Sequence, residues 1–306
     1  MTTMSNEVPI IFDPQGHPLA PLLCGKLPAE LGQLSYRRFP DGESYLRLDS
    51  PVKGRHCVVL VEMSSPDRKF LPLSFLTSTL RELEAASIGL VAPYLCYMRQ
   101  DRRFLDGEAI TSRIFAELLS NQVDWMVTVD PHLHRYTSLD EIYAIPTKVI
   151  QGAPVLAGWL KSETDVFVVG PDLESEQWVA QIAEYSGHPY VIGEKQRLGD
   201  RDVSVSLPDL SELETMTAVI IDDVISSGQT IIECMHTLRS RGVTKINCAC
   251  VHGIFAGNSD KAILEAGLSE LVTTNTIPHY SNELDVSGLL LTSIQEFTSL
   301  TREAPK

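Results

Sequence analysis

Two adjacent acids followed by a run of small polar residues form the most informative segment of the sequence. Residues 219–233 read VIIDDVISSGQTIIE, so an apolar run leads into Asp222 and Asp223, and the turn SSGQT follows. Thr230 and Glu233 have the spacing of a capping box, which predicts that a helix begins there. The N–H groups of a helix N-terminus can bind a phosphate, and the two carboxylates can accept hydrogen bonds from sugar hydroxyls. We therefore predict a sugar-phosphate site, with an ordinary strand-to-helix turn as the alternative, formed by Asp222, Asp223, Ser226, Ser227, Gly228, Gln229 and Thr230.

Positive charge is concentrated in two short segments. Three arginines lie within five residues of PYLCYMRQDRRF (93–104), which follows an apolar run, and Lys195 and Arg197 lie within GEKQRLGDRD (193–202). Positioned cations stabilise the charge that spreads over phosphoryl oxygens during phosphoryl transfer. Solvated surface charge is the alternative interpretation of both segments.

The composition restricts the ligands that such sites can serve. The 306 residues include 25 Lys and Arg against 40 Asp and Glu, a net charge of −15. A chain this acidic is poorly suited to bind nucleic-acid phosphates or an anionic membrane surface. No apolar run reaches the roughly 20 residues that span a bilayer. We expect small phosphorylated ligands, with no nucleic-acid or membrane partner.

The N-terminal residues and the cysteines predict a cytoplasmic location. The start of the chain lacks the basic, apolar and small-residue regions of a secretory signal. The six cysteines are scattered and include no CxxC pair. We expect reduced, buried thiols, as is usual in the cytoplasm.

The elements that must position these residues alternate between short apolar runs and helical patterns. Nearly continuous apolar runs are typical of strands buried on both faces of a parallel sheet, and the alternation indicates an α/β fold. The predicted strands are Cys57–Val61, Ile88–Tyr94, Trp125–Asp130, Val166–Gly170, Ala218–Asp222, Ile246–His252 and Leu271–Asn275. The predicted helices span about 68–85, 111–121, 175–186 and 230–241.

A faint internal repeat suggests two similar domains. CVVLVEMSS (57–65) and SIGLVAPY (87–94) resemble, in the same order, AVIIDDVISS (218–227) and KINCACVHG (245–253). Only the second copy carries the paired aspartates and the glycine-containing turn. If the halves are duplicates, only the second retains the chemistry of that loop.

We place the domain boundary near Pro146–Ile150. The predicted domains are residues 1–147 and 148–306, and the last helix is a candidate to pack back on the first domain.

Several segments, in order and over nearly the whole chain, resemble those of the ribose-phosphate pyrophosphokinases. The segments are FPDGESYLRL (39–48), PYLCYMRQDRRF (93–104), VTVDPHLH (127–134), VVGPDLESEQWVAQIAE (168–184), GEKQRLGDRD (193–202), VIIDDVISSGQTIIE (219–233, called the acid loop below) and VTTNTIPHYSNELDVSGLLLTSI (272–294). The resemblance implies two tandem type I phosphoribosyltransferase-like domains, each with a mainly parallel sheet flanked by helices. The Gly107-Glu108 pair and Ser226 resemble archaeal-type members, although a divergent bacterial member is the alternative.

The resemblance also implies the reaction, in which ATP and ribose 5-phosphate give AMP and phosphoribosyl pyrophosphate with Mg²⁺. The residues that correspond to ATP-binding positions are Phe39, Asp41, Glu43, Arg99, Gln100, Asp101 and His132. Those that correspond to metal-associated positions are His132, Asp172 and Asp130, and the implied catalytic residues are Lys195, Arg197 and Arg99. Because family members assemble from dimers upward, a homo-oligomer is expected.

Two departures from the family pattern leave alternatives open. Gln229 precedes Thr230 where the family commonly has glycine or alanine, and a Cβ there can restrict the dihedral angles of the loop. Glu174 and Ser175 stand where small residues or glycine are usual. A weakly active or regulatory paralogue and a kinase with an altered pentose-phosphate acceptor are therefore alternatives. A phosphoribosyltransferase with an extra domain is disfavoured, because it needs no adenine pocket such as the one implied by 39–48 and 93–104.

Overall fold

The computed structural model describes residues 8–133, 135–197 and 203–300, which divide into two compact units. Residues up to Ile150 and the segment from Ser287 onward form unit 1, and Gln151–Val286 form unit 2. In the described ranges, no helix is both long and apolar enough to cross a membrane.

Unit 1 is built on a six-stranded sheet in which every pairing is parallel. Its strands are β1 (Ile10–Phe12), β2 (Glu30–Leu31), β5 (His56–Leu60), β6 (Ser87–Ala92), β7 (Trp125–Val129) and β8 (Thr147–Ile150), and an antiparallel hairpin is formed by β3 (Leu34–Arg38) and β4 (Ser44–Leu48). Its helices are α1 (Leu19–Lys26), α2 (Phe70–Glu82), α3 (Thr111–Ser120) and α8 (Ser287–Leu300). The order of the strands in the sheet is β2-β1-β5-β6-β7-β8.

Unit 2 repeats this plan with a second six-stranded parallel sheet. Its strands are β9 (Val166–Gly170), β10 (Tyr190–Ile192), β13 (Thr217–Ile225), β14 (Ile246–Gly253), β15 (Glu270–Thr274) and β16 (Asn282–Leu284), and β11 (Glu194–Arg197) and β12 (Val203–Ser206) form an antiparallel hairpin. Its helices are α4 (Ala153–Leu160), α5 (Glu176–Ser186), α6 (Gln229–Ser240) and α7 (Ser259–Glu265). The sheet order is β10-β9-β13-β14-β15-β16.

The predicted strands and helices are present, with one difference that affects the site. The prediction ended the central strand of unit 2 at Asp222, whereas β13 continues to Ile225. It continues because β14 still pairs with it, through Asp222↔Cys250 and Ile225↔Gly253, whereas the recorded pairing with β9 ends at Ile220. Among the described strands, the last residues of β13, which include both aspartates, pair with β14.

The last helix packs on the sheet of unit 1. The indole ring of Trp125 in β7 stacks on the ring of Phe297 in α8, with centroids 4.7 Å apart and planes 10° from parallel. Lys148 in β8 forms an ion pair with Glu296, at 3.4 Å. Since β8 pairs with β7, unit 1 extends to Ile150 before the chain enters unit 2.

The stacked indole ring leaves no space for a side chain on the neighbouring strand. A Cβ added at Gly89, which pairs with Trp125, would lie 2.0 to 2.3 Å from three atoms of the ring. We expect Gly89→Ala to lower the free energy of unfolding by about 1–3 kcal/mol, the usual cost of overpacking. Urea unfolding followed by tryptophan fluorescence measures this change.

Gly158 provides the matched control. It lies inside α4, and a Cβ there would meet no atom within 4 Å. Gly158→Ala should raise the free energy of unfolding by about 0.5–1 kcal/mol, because alanine is favoured over glycine in a helix. Equal losses in both variants would contradict the steric explanation.

Candidate functional site

Backbone hydrogen bonds anchor the loop that follows the paired aspartates. The carbonyl of Ile225 accepts from the N–H groups of Ile254 and Phe255, at 2.9 and 3.1 Å. The carbonyl of Ser226 accepts from the N–H of Ala256 at 3.0 Å and from the hydroxyl of Ser259 at 2.6 Å. The start of this loop is thus bound to the segment after β14.

Helix α6 begins one residue earlier than predicted, and the predicted capping box is wrong. Gly228 is the N-cap, with φ 74° and ψ −3°, and Gln229 is the first helical residue. A glycine adopts this left-handed conformation without steric cost, so the helix starts directly after it. Glu233 accepts a hydrogen bond from the Gln229 side-chain amide at 3.0 Å.

The assignment of Gln229 to the helix removes the concern about its Cβ. Helical dihedral angles suit any ordinary residue, so the left-handed conformation in this loop is required of Gly228 alone. A Cβ at Gly228 would also lie 2.8 Å from Cδ1 of Ile263. Both the conformation and the space at this position therefore require glycine.

Asp172 lies at the same edge of the sheet as the paired aspartates. It follows the end of β9, which is the neighbour of β13, and Val169 is level with Ile220 in their register. Its carboxylate accepts from the N–H of Ser175 at 3.1 Å and caps a single 3₁₀ turn. The capping role is thus present in the structure, and the predicted metal role stays a prediction.

The predicted catalytic cations of unit 2 lie on the β11–β12 hairpin. The backbones of Lys195 and Arg197 pair with Val205 and Val203. The N–H of Gly193, just before the hairpin, donates to the carbonyl of Gly170 at 2.8 Å. The hairpin therefore starts at the edge where β9 ends. The side chains of Lys195 and Arg197 lie outside the part of the chain that the structure describes, as does residue 134.

In unit 1, the predicted adenine-binding residues form the tip of the β3–β4 hairpin. The carbonyl of Phe39 accepts from the N–H of Gly42 at 2.9 Å, and Asp41 accepts from the N–H of Glu43 at 3.1 Å. Phe39 is 37% exposed. The Arg37 guanidinium lies 4.3 Å from the centre of its ring. The tip thus presents an aromatic ring and two exposed carboxylates.

The arginine segment follows β6 and is tied to neighbouring elements. Arg99 is exposed, whereas Gln100 is half-buried and its side-chain oxygen accepts from Thr111 at 3.3 Å. Asp101 is buried, and both carboxylate oxygens accept from Nη1 of Arg135, at 2.7 and 2.9 Å. Contact of Asp101 with ATP stays a prediction, but the structure gives this carboxylate a protein partner that the sequence analysis missed. Arg135 directly follows VTVDPHLH (127–134) and belongs to no motif, so nothing in its spacing could have identified it as the partner of Asp101.

The residues after β7 have an unusual backbone conformation. Asp130 and His132 are not glycine, yet their φ angles are 32° and 55°. Positive φ costs free energy for such residues and is enriched at functional sites. Both side chains are half-buried. They lie at the carboxyl end of β7, beside the segment that follows β6.

The side chains of the sites suit Mg²⁺ bound together with a phosphorylated ligand. Among the described residues, no three His, Cys, Asp or Glu side chains form a ready-made metal site. Mg²⁺ typically binds through one or two carboxylates, substrate phosphates and water, so it needs no such cage. Half-buried oxygen donors of this kind are present at Asp172, Asp222 and Asp223 in unit 2 and at Asp130 in unit 1.

The loop of unit 1 that corresponds to the acid loop is closed by its own ion pair. Glu62, after β5, is buried and accepts from the N–H of Ser64 at 2.8 Å. Lys69 forms an ion pair with the same carboxylate and donates to the Ser64 hydroxyl at 3.1 Å. The Glu62 carboxylate is thus already paired with a cation and a backbone donor.

Comparison with known proteins identifies both units. The family model for the N-terminal domain of ribose phosphate pyrophosphokinase matches residues 10–122, and the phosphoribosyl transferase domain matches residues 138–281. The predicted pair of tandem phosphoribosyltransferase-like domains is confirmed. The fold is also that of the crystal structure of phosphoribosylpyrophosphate synthetase from Mycobacterium smegmatis, with a TM-score of 0.83, 24% identity, and coverage of 96% of this chain and 99% of that chain.

Three curated relatives are similar over most of their length, and each is named ribose-phosphate pyrophosphokinase. The relative from Thermoplasma acidophilum is 32% identical over 88% of this chain and 92% of its own, and that from Sulfolobus acidocaldarius is 31% identical over 85% and 90%. The relative from Staphylococcus saprophyticus is 30% identical over 93% and 92%. On this evidence, the chain belongs to the ribose-phosphate pyrophosphokinase family.

Proposed function

We propose that this protein is a ribose-phosphate diphosphokinase, which converts ATP and ribose 5-phosphate into AMP and phosphoribosyl pyrophosphate. The observation that carries the proposal is the anchored loop of unit 2, in which paired strand-end acids precede a helix that begins after a left-handed glycine. In a member of this family, that loop has the groups that a pentose phosphate requires.

Ribose 5-phosphate binds to the loop of unit 2 in this proposal. The N–H groups of residues 226–230 and the hydroxyls among them bind the 5-phosphate, as helix N-termini commonly bind phosphate. Asp222 and Asp223 accept hydrogen bonds from the ribose hydroxyls. Support comes from the Gly228 N-cap, which has no side chain to occupy the phosphate position.

ATP binds to residues of unit 1. Phe39 stacks on adenine, and Asp41 and Glu43 accept from its amino group. Arg99, Gln100 and His132 contact the phosphates. The exposed hairpin tip and the exposed Arg99 support this assignment.

The reaction is a direct transfer that needs no covalent enzyme intermediate. The 1-hydroxyl oxygen of ribose 5-phosphate forms a bond to the β-phosphorus of ATP, and the bond between that phosphorus and the α–β bridging oxygen breaks. AMP leaves with the bridging oxygen, and the proton of the hydroxyl is released to water. His132 and Asp130 in unit 1, and Asp172 in unit 2, are the residues that would hold Mg²⁺, which would supply positive charge to offset that of the phosphate oxygens. Lys195, Arg197 and Arg99 offset the charge that develops during transfer.

We further propose a homo-oligomer in the cytoplasm. The described part of unit 1 exposes apolar side chains one helical turn apart on two helices, Leu71 and Phe75 on α2 and Ile114 and Leu118 on α3. All six cysteines are free thiols, which suits a reducing compartment. Light scattering after size exclusion measures the oligomeric state.

Incubation with Mg–ATP and ribose 5-phosphate tests the function. We expect equimolar AMP and phosphoribosyl pyrophosphate, and no AMP when EDTA removes the metal. Folded protein that forms no AMP with ribose 5-phosphate contradicts the proposal. AMP formation with a different pentose phosphate alone would indicate an altered acceptor.

Lys195→Ala tests the catalytic assignment on the β11–β12 hairpin. Loss of a cation that stabilises transition-state charge should lower kcat by about 100-fold or more, with an unchanged melting temperature. Lys161→Ala, at the exposed end of α4, is the control and should retain wild-type kcat. Wild-type turnover by Lys195→Ala would rule out the assigned role.

Gly228→Ala tests the loop geometry. Its Cβ needs a left-handed backbone and meets Ile263, so the loop must shift and KM for ribose 5-phosphate should rise about tenfold or more, given the roughly 1–3 kcal/mol of such strain. KM for ATP should change little. Gly257→Ala is the control, because Gly257 also has positive φ, at 66°, but a Cβ there meets no atom within 4 Å. Comparable effects in both variants would show that space at Gly228 is unimportant.

A further inference from the structure

The strongest unexplained feature is the ion pair between Asp101 and Arg135 at the carboxyl edge of the sheet of unit 1. The Asp101 side chain is 1% exposed, whereas that of Arg135 is 45% exposed. The carboxylate is therefore buried, whereas the guanidinium is partly exposed to solvent. Burial of one charge is costly unless the partner geometry is good, so this pair needs a reason to exist.

The hydrogen bonds of the pair leave much of the guanidinium available. Both bonds to Asp101 come from Nη1 of Arg135, at 2.7 and 2.9 Å. A guanidinium has five N–H donors, and within the described residues the hydrogen bonds of Arg135 use only those on Nη1. The donors on Nη2 and Nε match the spacing of two oxygens of a phosphate or carboxylate.

An exposed aromatic ring holds a second guanidinium beside this one. Arg102 and Arg135 lie 4.7 and 5.7 Å from the centre of the Phe104 ring, which is 54% exposed. Two cations on one ring repel each other, and Asp101 compensates for only one of them. An anion in this region would relieve the repulsion.

Glu108, an acid of the same loop, does not supply that anion. The carboxylate of Glu108 accepts from the N–H groups of Phe104 and Leu105, at 2.8 and 3.1 Å, so the loop after β6 already uses it. Arg103 donates to the Glu108 carbonyl at 2.9 Å. Residues 99–108 and Arg135 together contain four arginines and three acids, so this region has a net positive charge in a protein whose net charge is −15.

We propose that Arg135 binds the polyphosphate of ATP and that Asp101 is its positioning residue. The inference rests on the proposed function, since it assigns a further ligand to the same nucleotide. Asp101 holds Nη1 from a desolvated position, which fixes the plane of the guanidinium and directs Nη2 and Nε to the phosphate oxygens. The role of Asp101 is then to orient a cation, in place of the direct ATP contact implied by the resemblance.

Nucleotide binding by a charge-neutral double variant tests this proposal. Arg135→Gln alone would leave a buried carboxylate without its partner, so Asp101→Asn/Arg135→Gln is preferred. We expect its affinity for ATP to fall about ten- to hundredfold, the range of a charge-assisted hydrogen bond. The factor by which the affinity for AMP falls should be less than a third of the factor for ATP, because AMP has only one phosphate. Isothermal titration calorimetry with each nucleotide and Mg²⁺ measures both values.

Two further variants separate positioning from a general structural role. Asp101→Asn alone should weaken ATP binding by a factor between those of the wild type and the double variant, because Arg135 keeps its charge but loses the carboxylate that orients it. Arg81→Gln breaks a different arginine–aspartate pair of unit 1, with Asp124 at 3.1 Å, and should leave both affinities unchanged.

The outcomes distinguish this inference from the proposed function. Unchanged ATP affinity in the double variant, or equal losses for ATP and AMP, would overturn the role of Arg135 even if the wild-type protein forms AMP from ribose 5-phosphate. A selective loss of ATP affinity would support it even if the wild-type protein proves to form no AMP.

Discussion

The pairing of β13 with β14 beyond the end of β9 is the constraint on which the sugar-phosphate loop depends. Among the described strands, the last residues of β13 pair with β14, whereas the recorded pairing with β9 ends at Ile220. Asp222 and Asp223 lie in this last stretch of β13. The continued pairing with β14 still fixes their backbone, and it carries the chain to the point where Ile225 and Ser226 bind the segment after β14. A backbone fixed in this way can hold the two carboxylates that we propose accept hydrogen bonds from the ribose hydroxyls.

The equivalent loop of unit 1 shows how the same architecture loses this chemistry. A single glutamate, Glu62, takes the place of the paired acids, and Lys69 neutralises it from within the loop. The left-handed position in this loop is occupied by Ser65, at φ 52°, rather than by glycine, and it precedes the 3₁₀ turn Pro66–Arg68. Because Lys69 neutralises Glu62 and the N–H of Ser64 also donates to it, this carboxylate already has partners within the loop. In unit 1, the residues that we propose bind ATP lie instead in the loops after β6 and β7 and in the hairpin before β5.

The sequence could predict the architecture because strands buried on both faces of a parallel sheet consist of nearly continuous apolar residues. It could also predict most of the edge residues, since acids and arginines directly after such runs must lie at the carboxyl ends of the strands. It could not predict the start of α6. The capping-box spacing at Thr230 and Glu233 is a local signal, and it was overridden by the left-handed conformation of Gly228. Nor could it predict the pairing of Asp101 with Arg135, because that contact joins loops after two different strands.

Local charge, rather than net charge, governs what this protein can bind. A net charge of −15 opposes binding to phosphate polymers, because a long polyanion is repelled by the negative charge of a large part of the protein surface. A single small phosphorylated ligand responds chiefly to groups within about one Debye length, roughly 8–10 Å. At that range unit 1 presents arginines around Phe104, each oriented by a specific partner: a ring, a carbonyl or a buried carboxylate. In unit 2, the proposed ribose 5-phosphate site combines carboxylates with a helix N-terminus. The proposed role of Asp101 is compatible with the acidic excess, because a carboxylate placed behind a guanidinium can orient positive charge outward.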